Sequence, residues 1–260
     1  MKKPLTILAT TVLLISGMQA ALVSRYTFDL GGNLGNDSVG SNNGTLFGSP
    51  SVGSTFDADR NSNVVEFTGG ATGYIYAPIN LSGGEFTISM WVKSDSWNNN
   101  RGLFQVQQAA GTTVDTNGGN KVVGAWVGST GIPWGRIIDT SGTRTMPQAG
   151  PSLTDVATDG PGATWHHLAY RAQGSNYEVF LDGSLVLASQ VTNYTGTLNS
   201  HTTIVIGRQG GEAWDGLMDD FQVYDNALSN GAIAALAVPE PSTALLGALS
   251  LVALLRRRRS

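Results

Sequence analysis

Residues 85–93 alternate cleanly. Phe86, Ile88, Met90 and Val92 fall on one parity, and Thr87, Ser89, Trp91 and Lys93 on the other. A period of two predicts a strand with one buried and one wetter face. Similar short runs recur along the chain at residues 22–28, 64–67, 73–77, 103–106, 121–127, 165–171, 203–207 and 216–224. Residues 177–181 and 184–187 flank Asp182-Gly183, a pair that accepts the positive φ angles of a two-residue hairpin turn. One helical segment is expected, residues 229–236, with Ser229 as its cap. Residues 139–162, rich in Thr, Pro, Gly and Asp, read as a long surface loop. Short strands between turn clusters predict an all-β sandwich or barrel.

The two ends follow different rules. Lys2 and Lys3 precede an apolar run over residues 5–15, and small or polar residues lead to Ala20. That is the layout of a secretory signal peptide over residues 1–20, cut by signal peptidase after Ala20. At the other end, Pro239-Glu240-Pro241 precedes an apolar stretch over residues 243–255, then Arg256, Arg257, Arg258 and Arg259. An apolar segment enters lipid, and terminal arginines hold its end on the cytoplasmic side as a membrane stop. The stretch is short beside the roughly 20 apolar residues usual for a span.

Pro-Glu-Pro, an apolar helix and an arginine cluster, in that order, resemble the PEP-CTERM sorting signal, here residues 238–260. The resemblance implies recognition at Pro239, Glu240 and Pro241 by an exosortase-type sorting protease. It also implies transient membrane anchoring, then transfer to the cell surface or extracellular matrix.

Removing both ends changes the charge picture. Six of the 15 Lys and Arg lie in them, against one of the 19 acidic residues. Residues 21–237 therefore hold nine basic and eighteen acidic side chains, a net charge near −9. An acidic surface without a basic cluster argues against nucleic-acid binding. Cysteine is absent, which excludes thiol catalysis, disulfides and cysteine-bound zinc. The three histidines include the adjacent pair His166 and His167, which would point to opposite faces of a strand. A three-histidine zinc site is thereby disfavoured.

Seven pieces in order resemble the LamG-like, concanavalin A-like jelly-roll superfamily over about residues 22–236. They are residues 26–29 (YTFD), 37–44 (DSVGSNNG), 85–92 (EFTISMWV), 165–169 (WHHLA), 179–183 (VFLDG), 204–207 (IVIG) and 216–229 (GLMDDFQVYDNALS). The resemblance implies two antiparallel sheets packed face to face, with short hydrophobic helices outside the sandwich at both ends. The superfamily hosts lectins, hydrolases and adhesion modules, so the site has to decide function.

Three kinds of chemistry are candidates. Retaining glycosidases of this fold carry Glu-x-Asp-x-(x)-Glu on one strand. Glu66, Glu85, Glu178, Glu212 and Glu240 are scattered and form no such motif, and Gly-x-Ser-x-Gly is absent. No catalytic residue is assigned. The loop from Asp37 to Gly44, with Asn42, offers hard oxygen ligands that suit a structural Ca²⁺. In LamG-like domains such a loop often pairs with an acid of the last strand, which implies Asp219 or Asp220. The competing reading is an Asx turn at Asp37 and a solvated acidic pair at Asp219 and Asp220. Finally, aromatic rings stack on sugars. Trp97 and Trp134 lie in polar, glycine-rich surroundings and are the ligand-binding candidates, whereas Trp91 and Trp165 are assigned to packing. The expected function is non-catalytic binding of extracellular polysaccharide or matrix adhesion. An unrecognised hydrolase or lyase site and a purely structural matrix role are the alternatives.

Overall fold

The computed structural model describes residues 21–30, 32–48, 52–70, 72–79, 81, 84–95, 100–107, 121–139, 142–145, 153, 164–190 and 203–239. The expected leader, Trp97, Glu240, Pro241, the apolar tail and Arg256, Arg257, Arg258 and Arg259 lie outside these. In chain order the first strands are β1 (Leu22–Tyr26), β2 (Thr45–Phe47), β3 (Val52–Asp57), β4 (Ser62–Thr68), β5 (Tyr74–Pro78) and β6 (Phe86–Ser94). Then come β7 (Arg101–Gln107), β8 (Lys121–Val127), β9 (Pro133–Asp139), β10 (Gly142–Thr145), β11 (His166–Gln173) and β12 (Asn176–Leu181). The last are β13 (Ser184–Gln190), β14 (Thr203–Ile206), β15 (Arg208–Gln209), β16 (Glu212–Ala213), β17 (Asp215–Tyr224) and the helix α1 (Asn230–Leu236).

These strands form two large antiparallel sheets. The first runs β13-β12-β11-β6-β17-β4-β3, with β1 also paired to β17. The second runs β10-β9-β8-β7-β14-β5-β2. Alternation decides which side chains meet between them. Ile88, Met90, Leu168, Tyr170, Val179, Met218 and Phe221 from the first sheet face Phe104, Val106, Val123, Ala125, Ile137, Ile204 and Ile206 from the second in one buried cluster. Among the described residues α1 is the sole helix. Ser229 caps it by accepting the Ala232 N–H at 3.1 Å. Ile233 and Leu228 pack α1 onto Ala169, Phe180 and Tyr224 on the outside of the first sheet. Among the described residues no helix is long and apolar enough to cross a membrane.

The Asp182-Gly183 hairpin forms as its sequence dictates, with φ of 48° and 78° and Leu181 paired to Ser184. Three expectations need correction. The first strand stops at Tyr26, because Phe28 adopts φ 57° and turns its ring into the core. The stretch 139–162 is not loop throughout, since residues 142–145 pair with β9. The second face of β6 is not wet. Thr87, Ser89 and Trp91 are buried, and Leu228, in the stretch leading into α1, donates its N–H to Thr87.

Candidate functional site

The outer side of the second sheet carries an aromatic and amide layer, with Gln105, Gln107, Trp126 and Gln209 buried and Trp134 and Arg136 partly exposed. Val123, Ala125 and Val127 point inward, so Gly124 and Trp126 point outward. On β9 the Cβ direction of Gly135 leads to the core ring of Tyr177, so Trp134 and Arg136 point outward. The register pairs Trp126 with Trp134 and Gly124 with Arg136. The two indoles stack at 4.4 Å with 8° between planes. The Arg136 guanidinium lies 4.9 Å from the Trp126 ring. Burial lowers the Arg136 pKa, and the charge of Glu212 opposes that shift.

A small hairpin brings one more group to this face. β15 and β16 pair across Gly210, and they approach β7 closely because Gly102 has no Cβ; one there would lie 2.3 Å from the Gln209 nitrogen. The Gly210 N–H donates to Gln105 Oε1 at 2.9 Å, and Gln105 Nε2 donates to Gln107 Oε1 at 2.8 Å. Gln209 then reaches over Gly124 and Trp126. Four buried donors on this face have no hydrogen-bond partner among the described residues. They are Trp126 Nε1, Trp134 Nε1, Arg136 Nε and Gln209 Nε2. Buried donors are ordinarily paired, at a cost of about 1–3 kcal/mol each when they are not. Farther along the sheet Phe47 and Tyr74 stack at 5.1 Å, and Arg208 lies 5.7 Å over Tyr74.

The outer face of the first sheet is built from charges. A β-bulge on β17, with Asp220 at φ 47°, turns two consecutive carboxylates to different cations. Asp219 accepts from Arg60 Nε at 2.7 Å, and Asp220 accepts from Arg25 Nε. Burial raises the Asp219 pKa to about 6 despite Arg60. Arg60 lies 4.6 Å over Trp91 and 5.7 Å from Trp165. Lys93 bridges Asp57 and Asp59, and the Trp165 N–H donates to Asp57 at 3.0 Å. These groups border a cleft of about 420 Å³ lined by Asp59, Arg60, Trp91, Lys93, Trp165 and Pro239. Trp91 and Trp165 thus pack as expected, but with cations on their faces instead of aliphatic side chains.

The residues singled out for Ca²⁺ do not fit it. Asp37 Oδ1 accepts from the N–H groups of Arg25, Val39 and Gly40, and Oδ2 from that of Asn42. Burial pushes the Asp37 carboxyl up, and these N–H bonds outweigh it and hold the pKa below the ordinary value. Asn42 donates its side-chain amide to Ser24 Oγ at 2.8 Å. Asp219 and Asp220 face arginines, and among the described residues no three His, Asp or Glu side chains form a metal-binding group. Arg25 makes the link that a cation was expected to make. Its backbone N–H holds Asp37, and its guanidinium holds Asp220.

The histidines also divide by parity. His166 Nδ1 lies 2.9 Å from Asp182 Oδ2. His167 is buried edge-on to Trp91, and burial lowers its pKa to about 4. Of the two tryptophans proposed from sequence for ligand contact, Trp134 stands in the stacked pair and Trp97 is outside the described residues. Sequence reasoning missed Trp126, Arg136 and Gln209. The available signal was the alternation of residues 121–127, which places Trp126 opposite in parity to three core residues.

Comparison with known proteins agrees with this fold. Residues 68–234 match the family model described as the concanavalin A-like lectin/glucanases superfamily. Residues 237–259 match the PEP-CTERM protein-sorting motif. No curated protein matches the chain. Among solved structures, domain 4 of an extracellular arabinanase from Geobacillus stearothermophilus, in complex with arabinotriose, is 17% identical with a TM-score of 0.60; the match covers 84% of this chain and 99% of that one. The ligand-binding domain of botulinum neurotoxin serotype D, in complex with N-acetylneuraminic acid, is 14% identical with a TM-score of 0.55 over 83% of this chain and 50% of that one. The binding domain of Paraclostridial Mosquitocidal Protein 1 is 15% identical with a TM-score of 0.57, over 83% and 51%. At these identities the likeness is one of fold.

Proposed function

The chain belongs to the concanavalin A-like lectin/glucanases superfamily, and from that premise we propose that it is a non-catalytic polysaccharide-binding protein of the cell surface. Its PEP-CTERM motif marks it for export and sorting. An exosortase-type protease acts at Pro239, Glu240 and Pro241 after signal peptidase has removed the leader. The sandwich is then delivered outside to bind matrix polysaccharide.

One observation carries the binding reading. The unpartnered polar atoms of the Trp126–Trp134 face are all donors. These donors are buried, and a ligand rich in acceptor oxygens, which a polysaccharide is, would satisfy them as the side chains around the partly exposed Trp134 give way. Of the stacked indoles Trp126 is buried and Trp134 is partly exposed, so Trp134 supplies the apolar surface for a sugar ring. The carbohydrate complexes of the two fold relatives support the same reading without fixing the sugar. A guanidinium, Arg136, and an amide, Gln209, lie beside the indoles and suit holding a glycan through hydrogen bonds.

The test is a glycan-array and titration series on the full chain, with Trp134→Ala and Arg136→Gln variants. Binding to at least one polysaccharide is expected, weakened about tenfold or more by either substitution. Hydrolysis or elimination of any bound polysaccharide would replace this reading by an enzymatic one. Binding that is indifferent to both substitutions would move the site elsewhere.

A further inference from the structure

The sorting motif leaves the sandwich from one particular face. Helix α1 is pinned to the outside of the first sheet by Leu228 and Ile233. Its C-cap is Ala237, whose Cβ lies close to the hairpin turn at Gly183. Two residues later Pro239 lines the Trp165–Arg60 cleft and also a smaller one bordered by Arg25, Asp29, Ser62, Asp219 and Asp220. Trp91 and Asp219 are in register on β6 and β17, and Asp59, Arg60 and Trp165 sit at the β3–β4 turn and the start of β11, so Pro239 stands on the outer side of the first sheet toward one end of its strands. The Trp126–Trp134 face belongs to the other sheet and points the opposite way.

Covalent geometry limits where the sandwich can go from there. Within residues 243–255 the first apolar residue is Ala244. Five residue steps separate it from Pro239, a reach of at most about 18 Å. Turning the second sheet toward lipid would require the chain to pass an edge or a strand end of the first sheet. The β3–β4 turn and the start of β11 lie beside Pro239, so the lateral leg is short. The chain must still cross the sheet spacing of about 10 Å and the outward side chains of both sheets, about 5 Å each. The required path exceeds the reach.

We infer that, while the unprocessed chain is anchored, its first-sheet side lies nearest the membrane surface and its Trp126–Trp134 face is turned away from it. This rests on the reading of residues 243–255 as a membrane segment. Charge does not set the orientation, because Arg25, Arg60 and Lys93 share the face with Asp29, Asp59 and Asp219. The short connection does. The partner is the lipid headgroup layer, and the ligand face is free for polysaccharide before the sorting cut as well as after it.

The chain has no cysteine, so single labels are simple to place. The full chain is reconstituted in nanodiscs whose lipids carry a headgroup quencher. A fluorophore is attached at Asp59→Cys, on the exposed rim of the first-sheet cleft, or at Thr45→Cys, on the exposed outer side of the second sheet. The expected result is quenching several-fold stronger at position 59 than at 45. A linker of about 20 Gly and Ser residues inserted after Val238, with a reach of about 25 Å, should erase the difference. Equal or reversed quenching overturns the orientation, as does a difference that survives the linker. A chain that fails to stay in the disc overturns the anchor reading itself.

Discussion

Arg25 Nε donates to Asp220 Oδ1 at 2.5 Å and so joins the first strand to the last across 195 residues. The same residue gives its backbone N–H to Asp37. The two carboxylates therefore tie the chain's ends through one arginine. Asp37→Ala would leave four N–H groups without their acceptor and is expected to cost about 3 kcal/mol. Arg25→Ala removes a partly exposed pair and is expected to cost about 1 kcal/mol. Urea unfolding of both variants checks the order. Because the carboxylates already have donors, millimolar Ca²⁺ is expected to leave the Tm unchanged. A rise in Tm with Ca²⁺ that disappears in Asp37→Ala would show that the loop opens to take the ion.

The buried neighbours of Trp91 should make stability respond to acid in two opposing ways. Burial holds His167 near a pKa of about 4, below the ordinary 6.5. The unfolded chain takes up that proton first, so His167 contributes stability above pH 6.5 that is lost as pH falls toward 4. Burial holds Asp219 near about 6, above the ordinary 3.8. There the folded chain takes the proton first, so its contribution is full below 3.8 and lost as pH rises toward 6. Each amounts to about 3 kcal/mol. Over pH 4–6 the two largely offset. His167→Gln should therefore lose stability as pH rises through this window, and Asp219→Asn should lose it as pH falls. Urea midpoints at several pH values read both slopes, and two slopes of the same sign would sink the assignment.

Gly183 couples a two-residue hairpin to the helix. Its φ of 78° suits glycine, and a Cβ there would lie 2.9 Å from the Ala234 Cα in α1. Gly183→Ala is expected to cost about 2 kcal/mol, combining left-handed strain with displacement of the helix. Exposure of the Leu228 and Ile233 cluster should accompany it, seen as faster amide exchange in α1. A cost confined to the hairpin, with α1 exchange unchanged, would show that the helix does not rest on this turn.

Much of this was legible in the residues. The strand β6, the Asp-Gly turn and the Ser229 cap each rest on a local rule, and each formed where the rule put it, although β6 is buried on both faces. Local rules are silent where a partner far along the chain decides. Thr87 and Ser89 are polar, yet they are buried because β6 is central in its sheet and the stretch leading into α1 closes over one end of its outer side. β2, β15 and β16 have two or three residues each, too short for a period to show. The oxygen-rich loop at Asp37 suggested a cation, but whether a carboxylate meets a metal or four N–H groups depends on how its own backbone folds around it. Trp134 stood out by its polar surroundings, whereas Trp126 sits in an apolar run where only strand parity separates core from surface.

Gly124 provides the most direct probe of the proposed binding face. It sits between Gln105 and Arg136 in register, and the ring of Trp126 and the amide of Gln209 lean over it. A Cβ at this position would lie 2.6 Å from Gln209 Nε2 and 2.9 Å from the Trp126 ring. The amide can swing aside cheaply, but the indole is held flat against Trp134 and can move only by disturbing the stack. Gly124→Ala is therefore expected to cost about 1 kcal/mol of stability, since strands also tolerate Ala better than Gly. Polysaccharide binding should fall about tenfold or more, because the stacked surface and two of the four donors shift together. Gly53, on β3 of the other sheet with open space at its Cβ, is the control, and Gly53→Ala should leave binding intact. If Gly124→Ala bound its glycan like the unmodified chain while the Trp126 ring had moved, the stacked pair would be a packing element and the ligand would have to be sought on another surface.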